Sequence, residues 1–264
     1  MDNYWIERKS MDSSYEIQIR SDIGDRTEQE DKAYVYIKKP VVCAVVCDGM
    51  GGRERGEEAS RIAVGKMQQL LGEFSDYHKK ENVVDFIMNA IIKLDISVSR
   101  EFRKQKGGTT IVATIIIDGV AYWFSVGDSR LYILRNNEIV RATRDHNYYL
   151  LLDEKLKKGE ITQVEYEREA TRGEALISFL GNGGIQVYDL TKEPLVLMED
   201  DMLLLATDGL YRVLQESVIQ QILCKKNSLE EKADKLMEQV VAMKQTKKLD
   251  NVTFVLIRVK GEGV

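Results

Sequence analysis

The chain has 264 residues, enough to bury a substantial core without disulfide staples, and its formal charge of −5 gives no electrostatic reason to expect nucleic acid or an anionic membrane as a partner. Its three cysteines, Cys43, Cys47 and Cys224, are an odd number in a chain too large to need disulfides, which suits a reducing compartment. No secretory pattern opens the chain and no run approaches the ~18 apolar residues of a membrane span, so a soluble cytoplasmic protein is expected, a single domain over 1–264 with its core at about 14–260.

In chain order, the first dozen residues, Trp5 among them, are read as a tail or a docking element, and Tyr15, Ile17 and Ile19 alternate as in a half-buried strand. Residues 33–38 and 41–47 read as a hairpin across Lys39 and Pro40. Two amphipathic helices follow. The first carries Ala59, Ile62, Ala63, Met67, Leu70 and Leu71 on one face, the second Val84, Ile87, Met88, Ile91, Leu94, Val98 and Phe102. Strands are expected at 110–117, 121–126, 131–134 and 139–141, with Asp118-Gly119 and Asn136-Asn137 as tight hairpin turns between members of the run. A polar helical stretch over 147–172 comes next, then strands around Ile177, at 186–190 and at 202–207. Ser228 and Glu231 form a capping box for a late helix, and a final strand covers 252–259. Strands outnumber crossover helices and helices arrive in groups. The expected fold is therefore α+β, two packed antiparallel β-sheets flanked by helices on both outer faces, an α-β-β-α sandwich.

Two apolar strands, 41–47 and 202–207, each end in Asp-Gly, at Asp48-Gly49 and Asp208-Gly209. A single Asp-Gly is more often a turn than a site, as Asp118-Gly119 illustrates. Asp48 and Asp208 differ because loop and helix starts, rather than a returning strand, follow them. Glu30, Asp31, Asp128 and Asp250 also stand at strand ends, in oxygen-rich company, and the whole chain holds only two histidines, His78 and His146. Such a donor set suits Mg²⁺ or Mn²⁺ better than zinc. If these carboxylates meet, two charges ~4 Å apart repel by ~4 kcal/mol at an effective dielectric of about 20, so cations or raised pKa values must relieve them.

The ordered motifs Ser21-Asp-Ile-Gly24 with Arg26 and Glu30-Asp31, Asp48-Gly-Met-Gly-Gly52 with Gly56-Glu57 and Ala59-Ser60, Gly108-Thr-Thr110, Gly127-Asp-Ser-Arg130, Thr143-Arg-Asp-His146, Leu180-Gly181, Thr207-Asp-Gly-Leu210 and Asp250-Asn-Val-Thr253 resemble the PPM family of metal-dependent protein serine/threonine phosphatases in its bacterial single-domain form. The resemblance implies hydrolysis of phosphoserine and phosphothreonine in proteins by a water or hydroxide bridging two Mn²⁺ or Mg²⁺ ions. It implies that Asp48 bridges the metals, that the Gly49 carbonyl and the side chains of Glu30, Asp208 and Asp250 complete the pair, and that Asp128 helps hold a third, weaker ion. Arg26 is implied as the phosphate-gripping arginine, and 147–172 as a flap beside the site. Some members carry a histidine two residues after the bridging aspartate; here Met50 stands there, and no general acid is assigned. His146 reads equally well as a structural histidine. The partners implied are phosphorylated proteins, among them a serine/threonine kinase and its targets, with the phosphatase itself a monomer.

Two rival readings stand beside this one. Cys47 and Arg53 satisfy the Cys-x5-Arg spacing of thiol phosphatases, but Asp48 beside the sulfur would repel a phosphate dianion and disfavour the thiolate. A degenerate phosphatase fold acting as a binding or sensing module would lack a metal ligand, and none is missing. A P-loop is unsupported, because the glycines at 51–52 and 181–184 are not followed by Lys-Ser/Thr.

Overall fold

The computed structural model describes residues 4–8, 14–51, 55–75, 79–102, 107–191 and 193–261. In chain order the strands and helices are β1 (Tyr4–Arg8), β2 (Tyr15–Asp22), β3 (Lys32–Lys38), β4 (Val41–Cys47) and β5 (Gly49–Met50), then α1 (Arg55–Glu73) and α2 (Lys80–Glu101). The middle of the chain forms β6 (Gly108–Thr109), β7 (Ile111–Ile117), β8 (Val120–Val126), β9 (Arg130–Arg135) and β10 (Glu138–Arg141), followed by α3 (Tyr148–Lys157) and α4 (Gln163–Glu169). Two short strands, β11 (Asp189–Leu190) and β12 (Leu195–Val196), lead to β13 (Met202–Ala206). Helices α5 (Asp208–Tyr211), α6 (Glu216–Leu223) and α7 (Leu229–Ala242) precede the last strand, β14 (Val252–Val259).

One sheet runs β1-β3-β4-β7-β8, with β11 and β12 both on the far side of β8; the other runs β10-β9-β13-β14-β2. Every pairing is antiparallel except β1 with β3. Part of the N-terminal dozen is thus an edge strand. The burial of the strands follows from the layering. Each residue of β4 and of β7 is buried, because both faces of the first sheet are covered, and their runs of Val and Ile suit a strand with no solvent face. Between α1, α2 and the first sheet lies an apolar layer containing Tyr34, Met67, Leu71, Ile87, Leu94 and Phe124. A second layer, with Val35, Val46, Leu131, Leu205 and Val255, fills the space between the sheets, and a third, with Tyr132, Phe254, Ile219 and Leu236, packs the second sheet on α6 and α7. The expected sandwich of two sheets with helices outside is the observed one.

The turns behave as their residues dictate. Asp118 (φ 48°) and Asn136-Asn137 (φ 52° and 63°) adopt the left-handed conformation of two-residue hairpin turns. Ser228 caps α7 reciprocally with Glu231, as the sequence predicts. Two expectations need correction. On α2 the buried stripe is Val83, Ile87, Ala90, Ile91, Leu94, Asp95 and Val98, so Val84 is only half-buried and Met88 is 43% exposed. The polar Asp95 belongs to that stripe, facing inward to accept a hydrogen bond from the Gly181 amide at 2.8 Å. The strands expected around Ile177 and at 186–190 reduce to β11, with isolated bridges from Leu176 to Asn147 and from Leu180 to Thr109. Gly181, Gly183 and Gly184, with φ of 104°, 77° and 151°, break the extended path there. Among the described residues no helix is long and apolar enough to cross a membrane.

The chain passes from the second sheet to the first between β2 and β3, and back again between β8 and β9. Those two crossings carry Arg26, Glu30, Asp31 and Asp128 to the edge where β4, β13 and the approach to β14 bring Asp48, Asp208 and Asp250.

Candidate active site

Asp48 is held by its backbone. Its amide donates to Thr110 Oγ1 (3.0 Å), and its carbonyl accepts from the Thr110 amide (2.8 Å) and Thr109 Oγ1 (2.9 Å). Thr110 Oγ1 in turn meets Ser129 Oγ at 2.6 Å, so the Gly108-Thr-Thr110 and Gly127-Asp-Ser-Arg130 motifs lock together around the strand that ends in Asp48. The glycines beside it are there for space. A Cβ on Gly49 would lie 2.0 Å from the Gly56 carbonyl oxygen, and one on Gly56 would lie 2.1 Å from Glu30 Oε1. Neither position admits a side chain.

Glu30 is fixed through its main chain, its amide donating to Asn251 Oδ1 (2.8 Å) and its carbonyl accepting from Ser60 Oγ (2.6 Å). Asn251 also donates through Nδ2 to the carbonyls of Ile23 (2.9 Å) and Glu28 (3.0 Å), so one side chain ties the Arg26 loop to the start of β14. Asp31 is buried and accepts from Thr207 Oγ1 at 2.9 Å, while the Thr253 amide donates to that hydroxyl at 3.0 Å. Asp128 is buried; its carbonyl accepts from Tyr211 Oη at 2.9 Å, and the Tyr211 ring lies 3.5 Å beneath the Arg130 guanidinium.

These carboxylates form one electrostatic unit. Burial, then the charges of Asp31, Asp208, Asp128 and Asp250, holds the Asp48 carboxyl well above the usual carboxylate range. Burial raises Asp208, opposed by Arg212, and Asp208 shares a hydrogen bond with the Asp48 side chain. Burial and Asp208 together push Asp128 up to about 7. Asp31 is raised strongly and Glu30 is raised too, both chiefly by burial. The structure therefore brings Glu30, Asp31, Asp48, Asp128, Asp208 and Asp250 within mutual influence. Among the described residues no three His, Cys, Asp or Glu side chains are grouped as finished metal ligands. Guanidinium groups supply positive charge instead. Arg26 Nη2 donates to Asp250 Oδ2 at 2.6 Å, while Arg212 pairs with Asp208 at 2.9 Å and Asp128 at 3.4 Å.

The residues present fit divalent cations. Glu30 Oε1 and Asp31 Oδ1 are buried with no hydrogen-bond partner, a costly state for carboxylate oxygens unless a cation or a bound proton satisfies them. The donors are all oxygens, the preference of Mg²⁺ and Mn²⁺.

His146 is structural. Its Nδ1 accepts from the Gly127 amide at 3.1 Å and its own amide donates to the Gly127 carbonyl at 3.0 Å, clamping the turn that carries Asp128. With Nδ1 an acceptor, the neutral ring carries its proton on Nε2, which faces Asp189 Oδ1 at a long 3.5 Å. Asp189 also accepts from the Arg144 amide and guanidinium. These partners outweigh the cost of its burial and hold its carboxyl down to about 2. Cys47 is fully buried in the apolar layer under α1, and burial with the Asp31 and Asp48 charges pushes its thiol up. Its supposed partner Arg53, like Gly52, lies outside the described residues. Replacing Cys47 with alanine is therefore expected to leave kcat per folded molecule within about twofold, at a cost of about 1 kcal/mol in stability for the lost volume; a thousandfold loss would restore the thiol reading.

The residues that sequence reasoning left unassigned here are Arg212, Asn251, Thr207 and Tyr211. Arg212 carried a weak signal, since it stands four residues after Asp208 across the start of a helix. The others act through hydrogen bonds between distant segments, which spacing along the chain does not reveal.

The whole arrangement, two sheets meeting at an acidic edge roofed by helical segments, is that of a phosphatase sandwich, and the Protein phosphatase 2C family model matches residues 20–252. The chain belongs to the protein phosphatase 2C family, the metal-dependent protein phosphatases. It is 32% identical over 248 residues to the serine/threonine phosphatase stp of Listeria welshimeri, covering 91% of this chain and 94% of that protein. It is 28% identical to the protein phosphatase PhpP of Streptococcus pneumoniae, covering 94% and 98%. Among solved structures, the S. agalactiae serine/threonine phosphatase superposes with a TM-score of 0.79 at 26% identity, covering 93% of this chain and all of that one. The serine/threonine phosphatase Stp1 of Staphylococcus aureus gives 0.77 at 25% identity, covering 97% and 100%.

Proposed function

We propose that this chain dephosphorylates phosphoserine and phosphothreonine in proteins with two Mn²⁺ or Mg²⁺ ions held at the acidic edge, using Asp48 between them, the Gly49 carbonyl, and the side chains of Glu30, Asp208 and Asp250. The observation that carries the reading is the convergence of buried, mutually repelling carboxylates, two of them with unpartnered oxygens. When bound, the ions supply Lewis-acid activation of a water for in-line attack on phosphorus.

The chain's own residues do the rest. Thr109 and Thr110 fix the main chain of Asp48 where its carboxyl meets the other carboxylates of the cluster. Arg26 is half exposed at the mouth of the site, and its planar fork suits two phosphoryl oxygens once Asp250 is engaged elsewhere. Asp31, hydrogen-bonded to Thr207, keeps the second sheet in register with the site and lends negative charge from behind. Tyr149, Leu150 and Asp153 of the flap helix α3 line a cavity with Arg212, and α4, which has no buried residue, is tied to α3 by the Tyr166 hydroxyl donating to Asp153 at 2.8 Å, so the pair presents an exposed face to a protein substrate. The partners proposed are phosphorylated proteins, with a serine/threonine kinase and its targets as the natural source. The protein is read as a cytoplasmic monomer.

The test is a metal-stripped preparation assayed on a phosphothreonine peptide. Activity is expected to vanish and return with Mn²⁺ or Mg²⁺, and Asp208→Asn is expected to remain inactive at any metal concentration. Full turnover in the presence of a chelator would sink the reading.

A further inference from the structure

Arg212 is the unexpected occupant of the acidic edge. Its Nε lies 2.9 Å from Asp208 Oδ2, and its Nη2 lies 3.4 Å from Asp128 Oδ2 and 2.8 Å from Glu174 Oε2. One guanidinium thus spans Asp128, which the resemblance implies for a third ion, Asp208, and the carboxylate of Glu174 just beyond the flap. The backbone holds it there. Arg212 closes α5, its amide donating to the Asp208 carbonyl at 2.9 Å, and its carbonyl accepts from Lys247 Nζ at 3.3 Å. Next to it, Tyr211 is fastened to the Asp128 carbonyl and stacked against Arg130. The backbone that carries the guanidinium is therefore fixed on both sides, while the side chain itself is 44% exposed.

We infer that Arg212 is a built-in cation that takes the place of a third divalent ion between Asp128 and Asp208. The argument is one of exclusion. A small divalent ion must sit about 2.0–2.1 Å from carboxylate oxygens, and one oxygen of each carboxylate, Asp128 Oδ2 and Asp208 Oδ2, is already contacted by the guanidinium. An ion placed between the two carboxylates would lie beside that guanidinium, and two positive charges at that spacing repel. The arginine's charge is permanent, whereas a weak site for a metal fills only at high concentration. Glu174 supplies the outward pull that any displaced guanidinium would follow, so filling of the third position and the placement of the segment after the flap are linked. The inference rests on the two-metal reading of the same edge, and Arg212 is a positioning residue within it.

Isothermal titration with Mn²⁺, cross-checked by the electron paramagnetic resonance signal of free Mn²⁺, tests it. Wild-type protein is expected to bind two ions and no third below millimolar concentration. Arg212→Gln is expected to bind a third ion at least tenfold more tightly than wild type does, and Asp128→Asn in that background to lose it again. Arg212→Lys keeps the charge and is expected to resemble wild type, which separates exclusion by charge from a general loosening of the fold; circular dichroism of each variant verifies folding. Two tight ions in every protein with an unchanged third affinity would overturn this inference alone. A wild-type protein that binds a third ion as tightly as Arg212→Gln overturns it as well. No ion bound by any of them would overturn the two-metal reading beneath it too.

Discussion

Asp48→Asn is expected to lower phosphatase turnover by on the order of a thousandfold or more and, in the same molecule, to raise the melting temperature of the metal-free protein. The first effect follows from taking away the carboxylate proposed to lie between two metal ions, where several kcal/mol of transition-state stabilisation would be organised. The second follows from its surroundings. Asp48 is held well above the usual carboxylate range by burial and by Asp31, Asp208, Asp128 and Asp250, so without cations it opposes folding. An amide of the same shape relieves that opposition. Calorimetry in a chelator checks the stability, and a steady-state assay at saturating Mn²⁺ checks the turnover; a lower melting temperature for the metal-free variant would refute the account.

The same electrostatics fix a pH dependence. Asp128 titrates at about 7 in the folded metal-free protein and near 3.9 when unfolded. Between those values the unfolded chain has already released the proton that the folded chain retains. Stability of the metal-free protein is therefore expected to fall as the pH rises from about 4 to about 7 and to level off above that. Divalent ions bind ionised carboxylates, and Asp48, also held well above the usual range, must release its proton to receive them, so their stabilising effect is expected to be larger at pH 8 than at pH 6.

Arg26→Ala is expected to lower kcat/KM for a phosphopeptide by about a hundredfold to ten-thousandfold. Two charge-assisted hydrogen bonds to phosphoryl oxygens are worth roughly 1.5–3 kcal/mol each, and tenfold in rate corresponds to about 1.4 kcal/mol. Arg26→Lys is expected to recover little of this, because a single ammonium cannot offer the paired, planar donors. Measurement must be at saturating Mn²⁺. In the metal-free protein Arg26 is paired with Asp250, and its removal frees that carboxylate and alters metal affinity as well. A loss smaller than about fivefold at saturating metal would assign the phosphate grip to another residue.

Much of this architecture is legible before any coordinates. Runs such as 41–47 and 202–206 are too uniformly apolar for anything but covered strands, and Asn136-Asn137 and Asp118-Gly119 announce their turns through side chains that accept positive φ. The acidic residues are legible because strand ends are the places where a buried strand can present a carboxylate. What escaped depended on the partner across space. Asp95 lies on the buried face of α2 with the Gly181 amide as its partner, a pairing that no helical period encodes. The role of His146 was open until its ring was found gripping the Gly127 amide. Arg212 carries no role in the sequence and gains one only where the chain brings Asp128 to meet it.

The crossings between sheets that carry the acidic residues have a mechanical meaning. Glu30 and Asp48 belong to one sheet's edge, Asp208 and Asp250 to the other's, so any cation that binds all of them stitches the two sheets together across the apolar layer between them. Sliding one sheet along the other by a single residue, about 3.3 Å, would pull the stitch apart. The metal-loaded enzyme should thus resist shear between its halves as a riveted joint does, with amide exchange slowed at the ends of β4 and β13 far more than at the opposite rim of the sandwich.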